Sequence, residues 1–218
     1  MTPYYQDDAV TIYHGDCREW MPEADAVISD PPYGIAYSPR GGGRGFAGVP
    51  GSIPKSFLGE TIVGDDQPFD PSHLLGYRVV VLFGANHYAN LLPRSSEWIV
   101  WDKRDWMPSN DFADCELIWT NATGPARIFR HHWNGLMRAS ERAEKRLHPT
   151  QKPLVLMSWL IGRYTGSEHT ILDPYSGSGT TLVAAKAHGR KAIGIEIEER
   201  YCEIAANRCR QEVLGLVG

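Results

Sequence analysis

Hydrophobic residues fall in short unbroken runs between polar, glycine- and proline-rich stretches, the pattern of buried strands rather than of a helical bundle. Ala26-Val27-Ile28-Ser29 stops abruptly at Asp30-Pro31-Pro32-Tyr33, which predicts a strand ending in a rigid turn. Residues 78–84 (RVVVLFG) predict a second buried strand and residues 97–101 (EWIVW) a third. Residues 116–119 (ELIW) predict a fourth, at the sheet edge. Between the first two strands, residues 34–59 are rich in Gly, Pro and Ser and read as a loop.

The last third is more regular. A helix with an apolar face starts at Pro153, a strand over 170–172 enters Asp173-Pro174-Tyr175-Ser176-Gly177-Ser178-Gly179, and a helix over 180–188 stops at Gly189. A strand over 192–196 and a closing helix over 198–213 follow. Strand, glycine turn, helix and a strand ending in an acid make one half of a doubly wound α/β sheet, here at the C-terminal end of the chain.

Gly177 and Gly179 let a ligand approach the backbone at the strand-to-helix turn. Glu196 lies 19 residues after Gly177, a spacing that suits a carboxylate accepting hydrogen bonds from a ribose diol. Leu182 stands where a dinucleotide fingerprint has its third glycine, so the turn fits a nucleoside cofactor without a pyrophosphate better than NAD.

Composition narrows the class. The 218 residues are 42% hydrophobic and 22% charged, which excludes a disordered or fibrous chain and allows one α/β domain. No apolar run is long enough to span a membrane, and the first residues do not read as a signal peptide. Cys17, Cys115, Cys202 and Cys209 form no CxxC pair, as expected of a reduced cytoplasmic protein without a zinc knuckle; Cys202 and Cys209 read as core thiols. His131 and His132 are adjacent but lack further ligands, so no metal site is expected and His131 reads as a phosphate contact. Four tryptophans, Trp98, Trp101, Trp106 and Trp119, read as core and edge packing.

The net charge of −4 does not advertise a nucleic-acid partner, but its distribution is uneven. Residues 34–59 carry Arg40, Arg44 and Lys55 and no acid, for a net +3. Residues 125–147 carry Arg127, Arg130, Arg138, Arg142, Lys145 and Arg146 against Glu141 and Glu144, for a net +4, leaving −11 for the remainder. Two basic segments on an acidic body suit a phosphate-binding face, although solvated loops would look the same.

The sharpest motif is Asp30-Pro31-Pro32-Tyr33. As a plain turn it would pack Tyr33 below a strand end. As a site, two prolines fix φ and donate no amide hydrogen, so the Asp30 carboxylate and the Pro31 carbonyl can face one point. Two acceptors aimed at one point suit an –NH₂ group, with the Tyr33 ring as a stacking face.

Asp30-Pro31-Pro32-Tyr33, followed far downstream by Asp173-Pro174-Tyr175-Ser176-Gly177-Ser178-Gly179-Thr180, resembles the S-adenosylmethionine-dependent DNA amino-methyltransferases, which methylate adenine N6 or cytosine N4. The catalytic motif preceding the cofactor motif is the circularly permuted order of the β class. Gly15-Asp16-Cys17, His148-Pro149-Thr150-Gln151-Lys152-Pro153 and Gly194-Ile195-Glu196 with Tyr201, Ile204 and Arg208 resemble further family segments, so the likeness covers residues 12–37 and 148–210. Tyr175 replaces the family's usual phenylalanine, and the central target-recognition region is short.

The resemblance implies a Rossmann-like, mostly parallel doubly wound sheet with helices on both faces. It implies a single methyltransferase domain over 1–218, with a catalytic half over 1–120, target-recognition segments over 34–59 and 121–147, and a cofactor half over 148–218. Asp30, Pro31, Pro32 and Tyr33 would form the catalytic turn. For S-adenosylmethionine it implies Asp16 and Cys17 at the adenine, Glu196 at the ribose and Asp173 with Gly177 and Gly179 at the methionine portion. Tyr175, Ser178 and Thr180 complete that turn, Asp30 borders it, and Thr150 and Lys152 are candidates for the carboxylate; a surface role for Lys152 fits the sequence equally well. Lys103 falls at a strand-end pocket element. Arg40, Arg44, Arg127, Arg130, His131 and Arg138 would contact double-stranded DNA. The implied setting is a bacterial or phage restriction-modification system, and a homodimer is compatible with the class. Asp30 favours adenine N6, since cytosine-N4 relatives more often carry serine there. RNA or protein-amide methylation, a nicotinamide enzyme and a non-enzymatic DNA-binding subunit are the competing readings, each lacking a feature that the motifs supply.

Overall fold

The structure, a computed structural model, describes residues 1–37, 60–109, 113–134, 137–142 and 146–211. Its strands are β1 (Tyr5–Gln6), β2 (Val10–His14), β3 (Ala26–Ser29), β4 (Val79–Leu82), β5 (Trp98–Asp102), β6 (Cys115–Thr120), β7 (Arg127–Arg130), β8 (Trp133–Asn134), β9 (Met137–Arg138), β10 (Thr170–Asp173) and β11 (Lys191–Glu196). Its α-helices are α1 (Leu154–Tyr164), α2 (Thr180–Ala187) and α3 (Glu199–Arg210).

Nine of these strands form one sheet in the order β1-β2-β11-β10-β3-β4-β6-β5-β7, and β8 and β9 pair as a separate hairpin. β3 sits at the centre, paired in parallel with β10 on one side and β4 on the other, which is why all four of its residues are buried. β1 and β6 run against the others; the rest are parallel. The expected α/β doubly wound sheet is therefore present, and chain order reverses between β3 and β10, the place where such sheets bind ligands at the carboxyl ends of their strands.

Alternation along the strands divides the core. Ile28, Val81, Ile99 and Ile118 face the layer of α1, α2 and α3 through Leu156, Leu160, Ala184 and Ala205. Val27, Val80, Leu82 and Trp119 face the other side, packed with Leu74 and Ala85 from single-turn 3₁₀ helices and with Tyr88, which caps two of them. At the glycine turn, a β-carbon on Gly179 (φ +77°) would meet Ala205 of α3 at 2.7 Å. A β-carbon on Gly194 of β11 would meet Leu182 of α2 at 2.7 Å. The close helix-to-strand packing usually given by a third glycine on the helix comes here from a glycine on the strand.

Several expectations need correction. β6 is not at the edge: it lies between β4 and β5, antiparallel to both, and β7 takes the edge. The closing helix ends at Arg210, with Gln211 already extended, while residues 212–213 lie outside the described residues. The basic stretch from 125 onward is not wholly loop, since it forms β7 and both strands of the β8–β9 hairpin. Trp101 and Trp119 are core and Trp98 is partly buried, but Trp106 is 83% exposed.

Candidate active site

The carboxyl ends of β2, β3, β4, β5, β10 and β11 open on one cavity of about 1500 Å³. Because β6 runs the other way, it contributes its first residues, Cys115 and Glu116, to the same cavity. Asp16, Cys17, Asp30, Pro31, Pro32, Tyr33, Thr150, Lys152, Asp173, Tyr175, Gly177, Ser178, Thr180 and Glu196 all line it, so strand ends far apart in sequence bring nearly all the expected catalytic and cofactor positions together; Gly179 does not line it, its open side facing Ala205 of α3.

The catalytic turn is held from below. Asp65, buried, accepts backbone hydrogen bonds from Tyr33 at 2.7 Å and Gly34 at 2.8 Å on one carboxylate oxygen, and from Tyr37 at 2.6 Å on the other. This carboxylate satisfies amides that the turn leaves without strand partners. The Tyr33 ring stacks on His87 with centroids 5.2 Å apart and lies against Gly84, where any β-carbon would fall about 2.1 Å from the ring. Gly84 has φ +62°, so both its backbone and its missing side chain are what let Tyr33 seat there.

Tyr33 Oη donates to Asp30 Oδ1 at 2.5 Å, and Lys152 Nζ donates to Asp30 Oδ2 at 2.6 Å. Lys152 is thus no surface lysine: its side chain is 8% exposed, with the ammonium 5.2 Å from the centroid of the Phe83 ring. Glu116 lies 3.4 Å from the same ammonium and accepts from Lys103 at 2.9 Å. Burial pushes the Asp30 carboxyl up and Glu116 adds to the rise, while Lys152 opposes it; the balance is above the usual carboxylate range. Burial would lower Lys152, but Asp30 and Glu116 outweigh it and hold the ammonium charged. Both oxygens of Asp30 are occupied by the protein's own donors, and the Tyr33 ring is already seated on His87.

On the other side of the β3/β10 boundary, Asp173 accepts from Ser29 Oγ at 2.6 Å and Thr181 Oγ1 at 2.5 Å, tying the ends of β3 and α2 to β10. Burial pushes its carboxyl up to about 6 against those two hydroxyls. Glu196 accepts from the Gly177 amide on one oxygen and the Glu198 amide on the other, both at 2.8 Å. Burial raises its carboxyl, partly offset by these amides. Arg208 of α3 donates to the Ser178 carbonyl at 2.7 Å and to Thr180 Oγ1 at 3.1 Å, fixing the turn from outside. His148 packs beside Gly177 and Tyr201, and Thr150 Oγ1 lies 3.1 Å from its Nδ1; burial, then Lys152 and Arg200, push the ring down to about 3, so it is neutral. Burial pushes the Cys17 thiol up to about 11, and Asp16 is paired with Arg18 at 2.5 Å.

These residues fit a nucleoside cofactor that carries positive charge. Acidic side chains outnumber basic ones along the cavity wall, Glu196 is fixed where a diol would be received, and the glycine turn leaves backbone open to the cavity. Among the described residues no group of three His, Cys, Asp or Glu is placed to hold a metal.

The basic residues are more scattered. Arg127 and Arg130 stand exposed on the edge strand β7, and Arg130 lies 3.8 Å from Asp102. His131 pairs with Ser140 at 2.9 Å, and Arg138 lies over the Trp133 ring at 5.2 Å. Trp133 lines the cavity, so the hairpin forms part of its wall, whereas no residue of β7 lines it. Arg40 and Arg44 lie outside the described residues. Asp65, Gly84, Glu116 and His148 are site residues that sequence reasoning did not find. For Glu116 the available signal was a lone acid in an apolar run close after Lys103.

A family model described as DNA methylase, of the N6/N4 type, matches residues 94–207. The Type II methyltransferase M.ScaI of Streptomyces caespitosus is 28% identical over 98% of this chain and 86% of its own length. M2.DpnII of Streptococcus pneumoniae, also a Type II methyltransferase, is 33% identical over 54% of this chain and 43% of its own. The chain spans less than half of that relative and of M2.LlaDCHI of Lactococcus lactis, where 42% is covered. Among solved structures, the M1.HpyAVI–SAM complex shares the fold with a TM-score of 0.56 at 23% identity, over 93% of this chain and 100% of that one. The PvuII DNA methyltransferase (cytosine-N4-specific) does so with a TM-score of 0.63 at 16% identity, over 98% and 90%.

Proposed function

The chain belongs to the N6/N4 DNA methylase family, and on that premise we propose that it transfers a methyl group from S-adenosylmethionine to N6 of adenine in double-stranded DNA. S-adenosylmethionine supplies a methyl group on a sulfonium, an electrophile that needs no metal. The single observation that carries the reading is the Asp30 carboxylate, fixed at the β3 end beside the glycine turn and paired with a buried ammonium.

An exocyclic adenine amine is a poor nucleophile because its lone pair is delocalised into the ring. Asp30 accepts hydrogen bonds from the –NH₂ and favours the pyramidal nitrogen that attacks; the rate gain comes from orientation and preorganised acceptors. Lys152 favours the ionised carboxylate against the burial that opposes it. The target base has to leave the duplex to reach the strand ends. Tyr33 releases Asp30 Oδ1 as the amine takes its place, and its ring offers a stacking face. Glu196 receives the ribose hydroxyls, and the turn from Gly177 to Gly179 takes the methionine portion. The exposed arginines of β7, with Arg40 and Arg44 before the described segment at 60, bind phosphates. The 34–59 and 121–147 segments serve target recognition within one domain, in a bacterial or phage cytoplasm.

Adenine is favoured over cytosine by Asp30, which stands where cytosine-N4 relatives more often have serine. The test is transfer of labelled methyl from S-adenosylmethionine to unmethylated duplex DNA, followed by digestion to nucleosides. Label in N6-methyladenine is the expected result; label in N4-methylcytosine would move the base, and an unlabelled DNA would overturn the substrate.

A further inference from the structure

We propose that Glu116, backed by Lys103, is a positioning residue that fixes the Lys152 ammonium on Asp30 and so sets where the target amine is received. The proposal rests on the reading of Asp30 as the amine's acceptor.

Four charges alternate along the floor of the cavity. Asp30 Oδ2 lies 2.6 Å from Lys152 Nζ, Lys152 Nζ lies 3.4 Å from Glu116 Oε2, and Glu116 Oε1 lies 2.9 Å from Lys103 Nζ. They come from the end of β3, the segment before α1, the start of β6 and the end of β5. The row sums to zero charge, which is what lets it sit where side chains are 20% exposed or less. Lysine carries its charge on a flexible four-carbon stem, and a single carboxylate would leave that charge free to follow Asp30. Glu116 gives it a second, fixed anchor. Lys152 is thereby held on Oδ2, so that Oδ1, now bonded to Tyr33, is the oxygen an incoming amine can take.

Other ionisable groups also face this row: Tyr33 and His87, stacked on one another, Tyr88 beneath, Asp173 across the β3/β10 boundary and His148 beside Lys152. Among the described residues, the side-chain contacts of the Glu116 carboxylate are with Lys103 and Lys152.

The sign of each perturbation follows. The negative charge of Glu116 opposes ionisation of Asp30 and favours protonation of Lys152. Glu116→Gln removes that charge, so both groups titrate at lower pH, by about one unit. Lys103→Met leaves the charge of Glu116 uncompensated and moves Asp30 the opposite way.

The experiment is a ¹³C NMR titration of the Asp30 carboxyl, assigned with Asp30→Asn, in wild type, Glu116→Gln and Lys103→Met. The pH profile of methyl transfer to duplex DNA is measured on the same preparations. Opposite displacements of the Asp30 midpoint in the two variants, with both limbs of the profile moved toward acid in Glu116→Gln and its kcat lowered about tenfold at an unchanged KM for S-adenosylmethionine, are expected. Lys103→Met alone carries the test if Glu116→Gln does not fold. An Asp30 midpoint that stays put in the folded variants overturns the proposal, even if activity falls. Displaced midpoints in a protein whose wild type transfers no methyl group to DNA uphold the coupling and count only against the substrate.

Discussion

The glycine turn and the catalytic turn lie on either side of the same strand boundary, yet they are stabilised in opposite ways. At the glycine turn, Glu196 is satisfied by two backbone amides from its own neighbourhood, Gly177 and Glu198. At the catalytic turn, Asp30 is satisfied by side chains, Tyr33 three residues on and Lys152 from another segment, with Glu116 and Lys103 behind. A backbone-bonded acid is fixed once the strand and helix form. A side-chain-bonded acid can exchange its partners, as an acid that must receive a substrate amine has to do. On the proposed function, the difference separates the region that would hold the cofactor from the one that would change during the reaction.

The largest effect is expected from removing the partner that holds the side-chain network together. Lys152→Met leaves Asp30 as a buried carboxylate without its cation and Glu116 with Lys103 alone, and breaking such a pair costs about 3–5 kcal/mol. Denaturant unfolding at neutral pH should show that loss, shrinking as pH falls and the carboxylates protonate. A stability equal to wild type at pH 7 would mean the row is not coupled.

A smaller effect, on the other side of the boundary, comes from Glu196→Gln. The amide can offer only one acceptor oxygen to the two amides, so the turn loses a charge-assisted hydrogen bond worth about 1.5–3 kcal/mol. S-adenosylmethionine binding by calorimetry should weaken about 10- to 100-fold, with kcat at saturating cofactor changed only a few-fold. A collapse of kcat would erase the division between the two regions.

The smallest effect per site belongs to the edge strand β7. Charge reversal at Arg127 and Arg130 should weaken DNA binding across sequences and reduce the slope of log affinity against log salt by about two, one for each lost phosphate contact. An unchanged slope would remove β7 from the interface, leaving transfer chemistry untouched.

The same contrast explains what could be read from the sequence. The glycine turn was legible because its geometry is local: Gly177, Gly179 and Glu196 sit in one strand-turn-helix-strand unit of fixed spacing. The Asp-Pro-Pro-Tyr turn was legible as a motif, and β3, β4, β5, β10 and β11 were legible as apolar runs. The partners of Asp30 were not. Lys152 lies 122 residues away, and whether a lysine before a helix is exposed or buried depends on which strand ends surround it. Glu116 was hidden for a topological reason: β6 is antiparallel, so its first residues meet the site, and placing it at the sheet edge pointed it away. Asp65 was hidden because its role is to bind amides of a turn about 30 residues earlier, which no local pattern records. Leu182 in place of a third glycine was read correctly as a departure, but its packing against Gly194 needed the fold to be seen.

The division of labour is tested most directly by one variant measured twice. Asp30→Ala, prepared once, is assayed for S-adenosylmethionine affinity and for methyl transfer to duplex DNA. Transfer lowered by about 10²–10³-fold or more, with cofactor affinity within a few-fold of wild type, is the predicted result. Parallel loss of both would contradict it, because Asp30 would then belong to the cofactor's binding site and not to the reception of the amine.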